Sequence, residues 1–238
     1  MSAETDALIR AYEAATSQVR ERIVAYAIAV WGAASAYRDD DIDRIVRQVV
    51  PAVQAGQLQL ATITDAYIGR MASLSAVPWV SSVDRSVVAY RGVAASEVYR
   101  RPAVTVYTAL ASGSSFDAAL TEGTNRLTSI VSTDLQQARN RQAARSVQSS
   151  GFRFYRRVLS GKEDCEKCRI ASTHRYRKAD LMPIHPGCDC GVEPLIEFDP
   201  TPDPLAETVV TNMHGELGPT LGWAADNFTS AADIPALN

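Results

Sequence analysis

Four cysteines and a histidine crowd into one stretch of the chain, in the order Cys165-x2-Cys168, a gap of 16 residues, then His185-x2-Cys188-x-Cys190. Thiolate sulfur and imidazole nitrogen are the donors that zinc prefers. Two short-spaced sulfur pairs, each straddling a tight turn and separated by a loop, can bring four such donors to one tetrahedral ion. A second C-x-x-C would be a stronger signal than the C-x-C found here. His185 lies between Pro183 and Pro186-Gly187, on a turn beside the second pair, and can replace one cysteine as the fourth ligand. Five donors therefore compete for four places. Zinc held in this way is structural, because a closed sphere of sulfurs leaves no open position and opposes Lewis acidity.

Other chemistries fit the spacing less well. Disulfides need an oxidising compartment, and Met1 to Glu13 reads as polar-apolar helix rather than a charged start followed by a compact apolar run, so no secretion is expected. A redox C-x-x-C opens a helix in a thioredoxin-like βαβ context that this sequence lacks. A zinc deaminase needs H-x-E ahead of P-C-x-x-C. Here His214-Gly215-Glu216 follows every cysteine, with no P-C-x-x-C after it. No Ser-His-Asp set, glycine-rich phosphate loop or paired-carboxylate motif stands out, and His174 and His214 read as surface residues. The expectation is a protein with no enzymatic activity and no small-molecule substrate.

Charge is distributed unevenly. Of a net −3, residues 1–137 carry −2, residues 138–180 carry +8, and residues 181–238 carry −9 with no Lys or Arg at all. Arg139, Arg141, Arg145, Arg153, Arg156 and Arg157 cluster in the basic stretch and suit the neutralisation of phosphates on double-stranded DNA without reading its sequence. The same pattern fits a clasp between basic segment and acidic tail, a tail that docks on a basic partner, or two solvated surfaces. The uncharged apolar stretch Ile23 to Tyr37 has 15 residues. That is short of the roughly 20 a membrane-spanning helix needs, so it reads as a buried helix and no membrane partner is expected.

The elements that must position these residues follow from periodicity. Through residues 1–150 apolar side chains recur at three- and four-residue spacings and Ala is abundant, which predicts helices. Leu8, Tyr12, Ala15, Val19, Ile23, Tyr26 and Val30 form one stripe. A second helix starts at Asp39-Asp40-Asp41, carboxylates suited to the positive end of a helix dipole, with Ile42, Ile45, Val46, Val49 and Val50 inward. Pro51 kinks or breaks it before a continuation through Leu58, Ala61, Tyr67, Ile68 and Met71. Val77-Pro78-Trp79 marks a connection. A helix over Ser86–Tyr99 and a short one over Pro102–Ala111 follow. A long helix then starts at Ser114-Ser115-Phe116-Asp117, carries Leu120, Leu127, Ile130, Val131, Leu135 and Ala138 inward, and stops at Ser149-Ser150-Gly151. From Phe152 the pattern turns aromatic and partly alternating, which predicts a strand over residues 152–159 and short strands near Arg175–Tyr176 and Gly191–Ile196. Phe152, Phe154, Tyr155, Tyr176, Leu181 and Ile184 are the residues available to pack over the metal-closed loop. The fold class is thus α+β. A mostly helical part (1–150) is followed by a small zinc-stapled antiparallel β module (151–198), then a Pro-rich linker and extended acidic tail (199–238).

Three quoted segments carry a family resemblance: Asp164-Cys165-Glu166-Lys167-Cys168, Ala171-Ser172-Thr173-His174-Arg175-Tyr176, and Leu181-Met182-Pro183-Ile184-His185-Pro186-Gly187-Cys188-Asp189-Cys190. Together they resemble the C-terminal signature of the Mu F-like minor capsid, or head morphogenesis, proteins of tailed phages, in the version carried by phages of actinobacteria. Tyr155-Arg156-Arg157-Val158-Leu159 and Val98-Tyr99-Arg100-Arg101-Pro102 also fit, so the resemblance spans about residues 5–198. Asp189 stands where many members carry Arg. Membership implies a virion or procapsid component present in few copies, partnered by the portal protein and inner capsid shell at the portal vertex and facing packaged DNA, with assembly in the host cytoplasm. The alternative reading is a regulator whose zinc module binds nucleic acid, although no recognition helix adjoins the ligands.

Overall fold

A computed structural model of the chain describes residues 3–86, 91–159, 166–173, 175–177 and 190–196. Cys165, His185, Cys188, His174, His214, Leu181, Ile184 and the 199–238 tail lie outside the described residues. The elements run α1 (Ala3–Gly32), α2 (Asp39–Leu74), α3 (Ala95–Val98), α4 (Arg101–Ala111), α5 (Phe116–Gln148), β1 (Phe154–Val158), α6 (Glu166–Ser172), β2 (Arg175–Arg177) and β3 (Gly191–Leu195). The chain is therefore mostly helical with one small antiparallel sheet. It divides into two compact units, neither of which is a single run of sequence: 14–63 with 84–139, and 1–13 with 64–83 and 140–238.

The first of these units is helical. Its core joins Val19, Ile23, Ala27 and Trp31 of α1 to Ile45, Val49 and Val53 of α2, Val98 of α3, Val106 of α4, and Leu127, Val131 and Leu135 of α5. Within α1 the buried line continues through Ala27 and Trp31, whereas Tyr26 and Ile28 are exposed, so the stripe expected through Tyr26 is rotated toward Ala27. Leu58 of α2 is likewise exposed and Leu60 is buried in its place, while Ala61, Tyr67, Ile68 and Met71 are buried as expected. Pro51 sits inside an uninterrupted α2. It is exposed, as is Arg47 four residues earlier. The carbonyl that loses its amide partner therefore belongs to a residue on the solvent side, where water can satisfy it.

The turn from α1 to α2 is held by Tyr37, whose φ of 53° lies in the left-handed region that non-glycine residues seldom enter. Its hydroxyl donates to the Trp31 carbonyl at 3.1 Å. Its amide donates to Asp41 Oδ2 at 3.0 Å, and the Ala36 amide shares that oxygen at 3.1 Å. Ser115 caps α5, its Oγ accepting the Ala118 amide at 3.3 Å. Of the helix expected over Ser86–Tyr99, residues 87–90 lie outside the described residues, and the described part forms only α3, because Gly92 adopts φ +69° and breaks the helical path just ahead of it.

The other unit combines the start of α1, the end of α2, the connection after it, the end of α5 and the sheet. Tyr12 stacks on Tyr67 at 4.1 Å and shares a hydrogen bond with Thr64 at 3.0 Å. The Gly151 amide donates to the Pro78 carbonyl at 2.7 Å, fixing the turn from α5 into β1 against the connection. The strand order is β2-β1-β3, both pairings antiparallel, with Tyr155 opposite Tyr176 and Arg157 opposite Val192. Alternation along β1 turns Tyr155 and Arg157 to one buried face. There Tyr155 and Tyr176 stack at 5.1 Å and pack with Val192 and with Ala143 of α5. Phe152 is fully buried just ahead of β1, while Phe154 is half-buried.

Candidate metal centre

Two of the five expected ligands are described, and the fold brings them together. Cys168 is the third residue of α6, and Cys190 immediately precedes β3. Both side chains are buried, at 1 % and 3 % exposure, with half-buried Leu159 packed against them. Their Sγ atoms stand 3.6 Å apart. A disulfide would bring them to about 2.05 Å. Two sulfurs bound at about 2.3 Å to one tetrahedral ion are separated by about 3.8 Å. At 3.6 Å the two are free thiols in contact, Cys190 donating to Cys168, at a separation that a shared tetrahedral ion would need to change little. Among the described residues no third His, Cys, Asp or Glu joins them.

The helix α6 was not legible in the sequence. It spans seven residues and carries its cysteine at a helical position. It lies against β1 and receives the Tyr176 hydroxyl at the Ala171 carbonyl, at 2.9 Å. Burial pushes the Tyr176 phenol up to about 12, opposed by the nearby Arg157 and reinforced by Cys190. On the opposite face of β1, Arg156 pairs with Glu193 directly across from it on β3.

Of the six arginines proposed as phosphate contacts, three are exposed, two are buried and one is paired. Arg141, Arg145 and Arg153 are exposed, and Arg153 lies over the Phe154 ring at 5.9 Å. Arg139 and Arg157 are buried, at 7 % and 5 % exposure, and Arg156 is engaged with Glu193. Arg139 reaches Thr16 Oγ1 at 3.4 Å. The sequence held the signal for both corrections. Arg139 falls four residues after Leu135 on the buried stripe of α5, and Arg157 falls two after Tyr155 on the buried face of β1.

Two buried polar clusters escaped the sequence reading, since their members are far apart in the chain. In the helical unit Asp134 accepts Arg91 Nε at 2.6 Å and the Tyr99 hydroxyl at 2.9 Å, while Gln57 donates to its carbonyl at 3.2 Å. Burial, then the Asp134 charge, raise the Tyr99 phenol well above its ordinary value. The shallow pocket beside this cluster, about 30 Å³, has room for little more than a water molecule. In the other unit Asp65 accepts the hydroxyls of Ser81 at 2.6 Å and Ser146 at 2.7 Å. Both clusters lock helices rather than present reactive groups. Among the described residues no helix is long and apolar enough to cross a membrane. Comparison with protein families, with curated proteins and with solved structures finds no match to this chain.

Proposed function

We propose that this chain is a non-enzymatic minor capsid, or head morphogenesis, protein of a tailed phage, whose β unit is closed by a structural zinc ion. The observation that carries the reading is the meeting of Cys168 and Cys190, which stand near the two ends of the signature segment and come to 3.6 Å in a buried setting. Cys168 and Cys190 hold two corners of the sphere, and Cys165, Cys188 and His185 compete for the other two. Zinc supplies cross-linking strength to a region with too few apolar residues for a core of its own. The chain's own residues supply the frame: α6 carries one thiol, the residue just ahead of β3 carries the other, and α6 and β3 both contact β1.

The exposed Arg145 and Arg153 are the groups that would make non-specific contact with packaged DNA. The helical part is the surface offered to the portal and inner shell. The test is imaging and copurification within phage heads, with metal analysis on the same particles. A few copies per head and one zinc per chain are expected. Absence from particles together with partition onto host chromatin would overturn the capsid reading in favour of a nucleic-acid-binding regulator.

A further inference from the structure

The outward face of α4 is apolar where a solvated helix would be charged. Arg101, Val104, Tyr107, Thr108 and Ala111 follow one another at three- and four-residue spacings and are all exposed, Val104 at 59 % and Tyr107 at 47 %. The opposite side, with Pro102, Ala103, Val106 and Ala109, is the one buried. The patch runs on past the helix. The Tyr107 hydroxyl donates to the Tyr37 carbonyl, and the Tyr37 ring meets Phe116 edge-on at 6.4 Å, with Phe116 itself 49 % exposed. Single exposed apolar side chains are ordinary, whereas a contiguous group of three large ones marks a surface that something covers.

The flanking charges indicate what covers it. Arg101 stands at one end of the patch and Asp117, beside Phe116, toward the other, and both are exposed. Among the described residues neither side chain has an ion-pair partner. Arg101 is also the first residue of α4, at the positive end of that helix's dipole, and no acidic residue occupies the first turn. A carboxylate brought there from outside the chain would relieve that conflict. The face thus carries a cation, an apolar centre and an anion in order. Such a face is complementary to itself, because a two-fold rotation sets each Arg101 against the Asp117 of the other copy and brings the apolar centres together.

We propose that α4 is a self-association surface, on which two copies of this chain pack antiparallel about a two-fold axis with Val104, Tyr107 and Phe116 at the centre and Arg101 against Asp117 at the rim. An 11-residue helix is about 16 Å long, so the contact is small for a protein interface and its dissociation constant should be micromolar. The surface is separate from the cysteines, and its test leaves the zinc reading untouched.

The experiment is sedimentation velocity on the full chain from about 1 to about 300 μM, which brackets that affinity, with reductant present so that thiol oxidation does not link chains. A monomer–dimer equilibrium is expected. Val104→Asp should weaken it by about tenfold or more, since it buries an unpaired charge at the centre. Val80→Asp, at an exposed position in the other unit, should leave it unchanged. Arg101→Glu and Asp117→Arg each set like charges together and should each weaken the dimer, and the two combined should restore it. A chain that stays monomeric throughout overturns the inference. A dimer that Val104→Asp leaves intact overturns it too, by placing the contact elsewhere, and so does a combined charge reversal that is no tighter than either single one. Should Val104→Asp lose its helical circular dichroism, the charge reversals decide alone.

Discussion

The Ser146 hydroxyl donates to Oδ1 of Asp65 at 2.7 Å, bridging 81 residues of sequence. Ser81 and the Ser82 amide approach the same carboxylate from the connection after α2, and Gln142 approaches from α5. Asp65 is 2 % exposed, and neutral donors alone satisfy it in this cluster. Replacing it with Ala strands several buried donors at once, so Asp65→Ala should cost about 3–4 kcal/mol in urea unfolding. Ser81→Ala removes one donor and should cost about 1 kcal/mol. Equal losses from the two variants would show that Asp65 is not the hub of the network.

Glycines in α1 and α5 should respond to Ala with opposite signs. A Cβ on Gly123 would sit 2.5 Å from Val106 Cγ2, 3.0 Å from Trp31 Cζ2 and 3.2 Å from the Pro102 carbonyl, whereas one on Gly32 meets nothing within 4 Å. Helix propensity favours Ala by about 1 kcal/mol at either position. Overpacking against Val106 and backbone should outweigh that gain, leaving Gly123→Ala destabilised by about 1–2 kcal/mol. Gly32→Ala should be stabilised by a few tenths to about 1 kcal/mol. Thermal melts of the two variants side by side test the sign.

These two cases also mark what a sequence reveals. The stripe of α2 was legible, Leu58 apart, because 3.6-residue periodicity persists along that helix, and that of α5 was legible over the stretch from Leu127 to Ala138. In α1 the same rule erred by one position, since Tyr26 and Ala27 are both apolar and only packing selects between them. The break before α3 depends on the left-handed Gly92, and α6 is too short to show a period. Strand alternation was legible at Tyr155, and it separates Arg156 from Arg157 once the buried face is known. Asp65 with Ser146, and Asp134 with Arg91, have no local signature, because tertiary packing alone brings such residues together. The Cys165–Cys190 spacing suggested ligands, and it held no sign that Cys168 would come from a helix and Cys190 from the head of a strand.

The α1–α2 turn should weaken in acid. Hydrogen bonds from the Ala36 amide, then from Arg44 and the Tyr37 amide, hold the Asp41 carboxyl below its ordinary range. A carboxyl whose folded pKa is depressed contributes stability above the unfolded value, about 3.9, and loses it as pH falls through the folded value. Wild type should therefore exceed Asp41→Asn in stability at pH 6, with the difference shrinking below about pH 4. A constant difference between pH 6 and pH 2.5 would remove Asp41 from the account.

Chelation should act on the sheet before the helical core. If the proposed zinc fixes α6 to the head of β3 through Cys168 and Cys190, its withdrawal leaves little beyond the packing of Leu159 to do so. Amide hydrogen exchange should accelerate in β1, β2 and β3, while α4 and the central part of α5 stay protected. Cys165→Ser should reproduce the effect without chelator. Uniform acceleration through both units, or none in the sheet, would contradict a staple confined to this region.

The arginines separate by burial, and that separation makes the DNA reading testable. Arg145 and Arg153 are exposed, so each change to Gln should leave the fold intact and lower the slope of log affinity against log salt by about 1 for any duplex sequence. Arg139 is buried and reaches Thr16, so Arg139→Gln should instead cost about 1–3 kcal/mol of stability and leave the slope unchanged. Fluorescence anisotropy with two unrelated duplexes, beside urea unfolding, distinguishes the two behaviours. If the full chain retains no duplex at low ionic strength, the basic segment does not serve DNA. If Arg139→Gln lowers the slope as Arg145→Gln does while stability holds, the phosphate-facing surface includes the α5 stripe, and the burial of Arg139 does not persist in the DNA-bound protein.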